Sequence, residues 1–121
     1  MWDFEDEFWG ILDELIEKNG IQIDRPKGSK HPKYTNIIYP LDYGYIKNTV
    51  SSDGSGIDVW VGSLSTNKAW AIISSVDLWK RDSEIKVLVS CTTNEIELVY
   101  KHHNSNSGMK GILNIRLLKE L

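Results

Sequence analysis

The chain has 121 residues, 40% of them hydrophobic and 26% charged, with 14 basic against 17 acidic side chains and a net charge of −3. That length favours a single domain over residues 1–121, able to bury a core without a covalent staple. The acidic balance argues against a general electrostatic grip on nucleic acid, and the lone Cys91 rules out an internal disulfide and a thiolate zinc cluster.

In chain order, the first element expected is a helix over residues 3–18, within an N-terminal segment 1–19. Phe4, Phe8, Leu12, Leu15 and Ile16 fall on one face, Trp9 and Ile11 flank it, and acids fill the other side. Packing on a sheet is the expected use of that face, ahead of partner binding. Asp3, Glu5, Asp6 and Glu7 carry the wrong charge for a secretory signal. Asn19-Gly20 supplies a stop.

From Ile21 the pattern changes to strands, in a segment expected to run over 21–118. Ile21 to Asp24 alternates, Asn36 to Tyr39 and Tyr43 to Ile46 are short candidates broken by Pro40, and Ile57, Val59 and Val61 alternate with Asp58 and Trp60. Ala69 to Ser75 and Ile85 to Cys91 are the richest in Ile and Val. A short helix is expected near residues 94–103, then a polar loop, then a last strand over Ile112 to Leu118. This predicts a mostly-β or α+β fold. The longest apolar runs, such as Ala69 to Ile73, are far too short to cross a membrane, and a reducing, cytoplasmic setting fits the single cysteine.

The chemistry concentrates in Tyr39-Pro40-Leu41-Asp42-Tyr43-Gly44-Tyr45 and, eight residues later, Asp53-Gly54-Ser55-Gly56-Ile57-Asp58. A Gly-rich turn can fold Asp53 and Asp58 towards each other. Two close carboxylates need a proton or a cation between them, and oxygen-only clusters suit hard cations such as Mg²⁺. His31 and the pair His102-His103 lack partners at metal-ligand spacing and are expected on the surface. Trp60, Trp70 and Trp79 read as core or interface side chains rather than stacking platforms.

Placed in order, these segments and their neighbours resemble family I soluble inorganic pyrophosphatases over about two thirds of the chain, from Ile21 to Lys101. The carriers are Asp24 with Pro26-Lys27-Gly28-Ser29, the tyrosine box, the Asp53–Asp58 loop, Asp77, an acid followed by x-Lys86, and Tyr100-Lys101. The resemblance implies an OB-like five-stranded barrel with flanking helices, and Mg²⁺-dependent hydrolysis of inorganic diphosphate by a metal-activated water, with Mn²⁺ or Co²⁺ as other cations. It implies Asp53, Asp58, Asp77 and Glu84 as metal ligands, with Asp82 the alternative to Glu84. Asp24 would support the metal shell. Lys33, Tyr39, Lys86, Tyr100 and Lys101 would bind substrate, and Asp58 and Tyr43 would serve catalysis, with Asp42 a catalytic candidate particular to this chain. The partner implied is a small-molecule diphosphate, with neither nucleic acid nor membrane, and bacterial members suggest a homo-oligomer.

The departures are as informative. Ser55 stands where the resemblance expects the second loop aspartate, and a neutral hydroxyl is a poor bridge between hard cations. Gly56 replaces the loop proline. The stretch from Tyr34 to Tyr39 is too short for the usual hairpin and lacks its arginine. Asp42 replaces the box asparagine and is a candidate to compensate for the missing carboxylate. Two alternative functions follow: a degenerate phosphate- or diphosphate-binding module without turnover, or a hydrolase of a larger phosphoanhydride.

Overall fold

The computed structural model describes residues 3–117. Its elements are α1 (Glu5–Asn19), β1 (Ile21–Arg25), β2 (Asp42–Ile46), β3 (Asp58–Val61), β4 (Ala69–Asp77), β5 (Asp82–Val89), α2 (Thr93–His102) and β6 (Met109–Ile115). Leu118, the expected end of the last strand, lies outside the described residues.

The strands form one sheet in the order β1-β2-β3-β5-β4-β6. The expected count of five is therefore corrected to six, and among the described residues no pairing joins β1 to β6 to close a barrel. Neighbours are antiparallel except β3 and β5, which run parallel. β5 slots between β3 and β4, covered on both edges and both faces, and Val87, Leu88 and Val89 are fully buried. This explains the unbroken apolar run at its end. The expected strand over Asn36 to Tyr39 reduces to an isolated bridge between Lys30 and Ile38, because Pro40 and the turns around it leave no length for a ladder.

Side-chain alternation divides the core into two layers. On one face Ile46, Val59, Ile72, Val87 and Val89 pack under Trp9, Leu12 and Ile16 of α1. On the other, Trp60, Ala71, Ile73 and Leu88 pack under Ile96 and Val99 of α2, with Leu41 and Cys91. The buried stripe of α1 is rotated from the expected one. Trp9 is buried while Phe4 and Phe8 are exposed, because the helix covers the sheet along its Trp9–Leu12–Ile16 ridge. Glu5, Asp6 and Glu7 in its first turn complement the helix dipole, and Gly20 ends it with φ 77°, a backbone angle that glycine adopts without strain. α2 begins with a capping box: the Thr92 hydroxyl accepts from the Glu95 N–H, and the Glu95 carboxylate accepts from the Thr92 N–H.

The tyrosine box becomes β2, and Gly44 is its tightest point. A Cβ there would sit 1.8 Å from the Gln22 carbonyl oxygen. Only a glycine lets β1 approach this closely beside the register irregularity between Ile23 and Arg25.

Candidate functional site

The site grows out of strand register. Tyr43 pairs with Trp60 and Tyr45 with Asp58 across β2 and β3. Asp58 pairs with Lys86 across the parallel β3/β5 ladder. Glu84 lies two residues before Lys86 and so points to the same face. Three separate stretches of sequence thus deliver Tyr43, Asp58, Glu84 and Lys86 to one side of the sheet, the side that α2 covers elsewhere.

There the Lys86 ammonium donates to the Asp58 carboxylate at 2.6 Å, to the Tyr43 hydroxyl oxygen at 2.8 Å and to the Glu84 carboxylate. An ammonium has three protons to give, and all three are placed. The Lys86 side chain is only 9% exposed, and those of Asp58 and Glu84 are 23% exposed. Burial alone would lower the pKa of Lys86; the Tyr43 oxygen and the Asp58 and Glu84 carboxylates outweigh it and hold the ammonium above its ordinary value. Burial pushes the Tyr43 phenol well above its ordinary value, against the pull of Lys86. The cluster is therefore two carboxylates, one ammonium and one neutral phenol, with a net negative charge. A cleft of about 440 Å³ opens beside Glu84, lined by Ser75, Ser83, Ile85 and Lys110 among others.

Behind the cluster stands an aromatic wall, of which the sequence points to Tyr39 and Tyr43 as site residues but not to Trp60 or His103. The Trp60 ring lies 4.5 Å from that of Tyr43 and 5.8 Å from that of Tyr39. The Trp60 indole N–H donates to His103 Nε2 at 2.9 Å. His103 is buried, which corrects the expectation of a surface histidine, and burial, with the nearby His102 and Lys86, lowers its pKa to about 3. His102 is half-buried and its pKa is also lowered by burial. The signal was in the sequence: Ile96, Val99 and His103 share the i, i+3, i+7 spacing of the buried face of α2.

The remaining expected residues lie apart from this cluster. Asp53 Oδ1 accepts from the Ser51 hydroxyl and the Ser55 N–H, at 2.7 and 2.9 Å. The Ser51 hydroxyl, first, and that N–H lower the pKa of the exposed Asp53. Asp77 Oδ1 accepts from the N–H groups of Trp79 and Lys80 and caps the turn between β4 and β5. Among the described residues, no hydrogen bond reaches Oδ2 of either aspartate. Asp82 pairs with Asp77 at the exposed end of that hairpin, while Glu84 is the acid that reaches Lys86. Asp42 faces Val61 in the β2/β3 register, on the face opposite Tyr43 and Asp58, and its Oδ1 accepts from the Lys27 N–H at 2.8 Å. Asp24 is exposed at the β1 irregularity. Lys33 is exposed over the Tyr34 ring, on a turn ordered by His31 Nδ1, and His31 stacks on Tyr39. Tyr100 and Lys101 lie on the exposed side of α2, with Lys101 paired to Glu97.

Comparison with known proteins adds the fold's context. The chain is 28% identical over 92 residues to an inorganic pyrophosphatase of Synechocystis sp., covering 63% of this chain and 54% of that protein. It is 27% identical over 103 residues to a soluble inorganic pyrophosphatase of Zea mays, covering 78% and 43%. An inorganic pyrophosphatase structure from Coxiella burnetii superposes with a TM-score of 0.55 at 13% identity, over 78% of this chain and 84% of that one. The chain is pyrophosphatase-like, and divergent. A second pyrophosphatase structure, from Helicobacter pylori, superposes with a TM-score of 0.50 at 13% identity, over 78% and 81%. At such identities the structural likeness establishes the OB-like fold. This pyrophosphatase-like chain spans about half the length of the two sequence relatives, and no family model matches it.

The oxygen donors at the cluster are of the kind that suits a hard divalent cation. Mg²⁺ is commonly held by one or two carboxylates, with water and substrate phosphate completing its shell; Asp58 and Glu84 supply two carboxylates facing one point. A convergence of Asp53, Asp58 and Asp77 is not formed: among the described residues no three His, Cys, Asp or Glu side chains gather as a metal cradle. Among those residues, too, no helix is long and apolar enough to cross a membrane.

Proposed function

We propose that the chain hydrolyses inorganic diphosphate, with Mg²⁺ as its divalent cofactor, at the face formed by Tyr43, Asp58, Glu84 and Lys86. The observation that carries this reading is the meeting of those four side chains, drawn from three separate parts of the ordered motif set, in one hydrogen-bonded cluster. A cytoplasmic setting and a small-molecule substrate, without nucleic acid or membrane, go with it.

Asp58 and Glu84 would hold the cation. When bound, such an ion acidifies a water and offsets charge on the phosphate oxygens. Lys86, once turned from its carboxylates, donates charge-assisted hydrogen bonds to those oxygens. Tyr43 keeps its proton at neutral pH and serves as a neutral donor beside Lys86, rather than as a base. Tyr39, Lys33, Tyr100 and Lys101 form the outer ring that we assign to substrate capture. Asp53, Asp77 and Asp24 stand apart from Asp58 and Glu84, so we keep them out of this cation's shell. We place Asp42 in the fold rather than in the chemistry, since its strand position turns it from Tyr43.

The test is phosphate release from diphosphate with Mg²⁺, Mn²⁺ or Co²⁺, with Asp58→Asn as the control. Release with Mg²⁺ that falls at least a hundredfold in the control is expected. No release with any of the three cations overturns the reading.

One observation favours a second reading. Ser55 places a neutral hydroxyl at the centre of the loop, where the resemblance expects a carboxylate. A module that binds diphosphate without cleaving it would show metal-dependent heat of binding in calorimetry and no phosphate release.

A further inference from the structure

We propose that Lys86 is a tethered counter-cation that competes with the divalent ion for Asp58 and Glu84, so that metal and diphosphate enter the site cooperatively. The proposal rests on the reading above only in taking those two carboxylates as the cation's ligands.

The argument starts from register. Asp58 and Lys86 are paired residues of the parallel β3/β5 ladder, and Glu84 precedes Lys86 on the same strand face. Strands rather than a loop therefore fix the three groups, and the ammonium stands where a cation between the carboxylates would stand. Its three protons are committed to Asp58, Glu84 and Tyr43. A divalent ion arriving between Asp58 and Glu84 meets a positive charge already in place, in a half-buried setting where like charges screen poorly.

Lys86 must then leave its carboxylates. With its side chain 9% exposed, it has little water to turn to, and a buried ammonium without acceptors is strongly disfavoured. A phosphate oxygen bound at the same cation supplies the acceptors it lost. Metal alone is therefore opposed by Lys86, while metal with diphosphate is not. Linkage makes the effect reciprocal: each ligand raises the affinity of the other through the position of one side chain.

Calorimetry with Mg²⁺ alone, no diphosphate present, tests this on the wild type and on Lys86→Gln. Removing the charge is expected to tighten Mg²⁺ binding on the order of tenfold. Equal or weaker binding by Lys86→Gln overturns the proposal. Should Lys86→Gln fail to fold, Glu84→Gln is compared with the double variant Glu84→Gln/Lys86→Gln, which loses one charge of each sign. The double variant is then expected to bind Mg²⁺ more tightly than Glu84→Gln alone, and the reverse order, or no Mg²⁺ binding by any of these proteins, overturns the proposal. Phosphate release is not read in any arm, so absence of turnover would sink the hydrolase reading and leave this one standing.

Discussion

The Trp60 indole N–H donates to the Nε2 of His103, 43 residues further along the chain, at 2.9 Å in the buried layer beneath α2. An indole can only donate, so His103 must be neutral and carry its proton on Nδ1. The bond ties the end of α2 to the aromatic wall behind Tyr43, and it gives the fold an acid-sensitive joint.

Stability should fall on mild acidification because of that joint. His103 has an ordinary pKa of 6.5 and a folded value of about 3, set first by burial. As pH drops below 6.5 the unfolded chain takes up the proton and the folded chain does not. His103 therefore costs stability progressively from there towards pH 3, by up to about 1.4 kcal/mol per pH unit. Urea unfolding at pH 7 and pH 5.5 measures the slope, and His103→Gln, which keeps an acceptor for Trp60, should flatten it. A slope unchanged in that variant would assign the acid sensitivity to other groups.

Much of this arrangement was legible in the sequence, in pieces. β3 follows from period-two alternation and β4 and β5 from their wealth of Ile and Val, and the resemblance groups Tyr43, Asp58, Lys86 and, with Asp82 as its alternative, Glu84 in one chemistry. What the sequence did not disclose is which face each residue takes. Phe8 and Trp9 are neighbours on one helix, and only the sheet beneath decides that Trp9 is buried. Asp42 and Tyr43 are neighbours on one strand, and the β3 register sends them to opposite faces. His103 was read as a surface residue because a histidine is a poor guide to burial, even though its helical spacing was right. The reach of Lys86 to Asp58 depends on a parallel ladder that no local pattern encodes.

Neighbouring substitutions in the tyrosine box should split cleanly. Asp42→Asn retains an oxygen to accept from Lys27 and is expected to leave diphosphate turnover within about twofold of wild type, as an isosteric exchange at a half-buried position on the face opposite the cluster. Tyr43→Phe removes an acceptor from a buried ammonium, worth roughly 1.5–3 kcal/mol, and is expected to lower kcat/KM by about ten- to a hundredfold. Steady-state kinetics on the pair settles it; equal losses would place Asp42 in the chemistry.

Gly44→Ala is expected to be the most damaging single change in β2. The added carbon meets the Gln22 backbone at 1.8 Å, and backbone cannot give way as a side-chain tip can. A loss of at least ~3 kcal/mol is expected, visible as a large drop in Tm. A drop of only a few degrees would mean that β1 can move off.

Ser55→Asp should restore part of a metal shell. The Ser55 backbone N–H and C=O close the loop onto Asp53 and Ser51, while its hydroxyl makes no hydrogen bond among the described residues, so the side chain can be exchanged without opening the turn. The added carboxylate is expected to tighten Mg²⁺ binding by about tenfold, in keeping with one more hard oxygen ligand. Titration calorimetry reads it, and unchanged affinity would mean that the loop points away from the cation.

The slot that β5 fills between β3 and β4 has a consequence for how the molecule folds. The β4–β5 hairpin is local and can form early, but Asp58 and Lys86 meet across 28 residues of chain, through a parallel pairing of the kind that forms slowly. Until β5 docks on β3, Lys86 has Glu84 without Asp58, and the edge that bears Val87, Leu88 and Val89 stays open to other chains. The event that completes the polar cluster is therefore also the event that seals the stickiest edge of the nascent sheet. A substitution that delays this docking would lower the yield of soluble protein before it changed anything measurable in the finished fold.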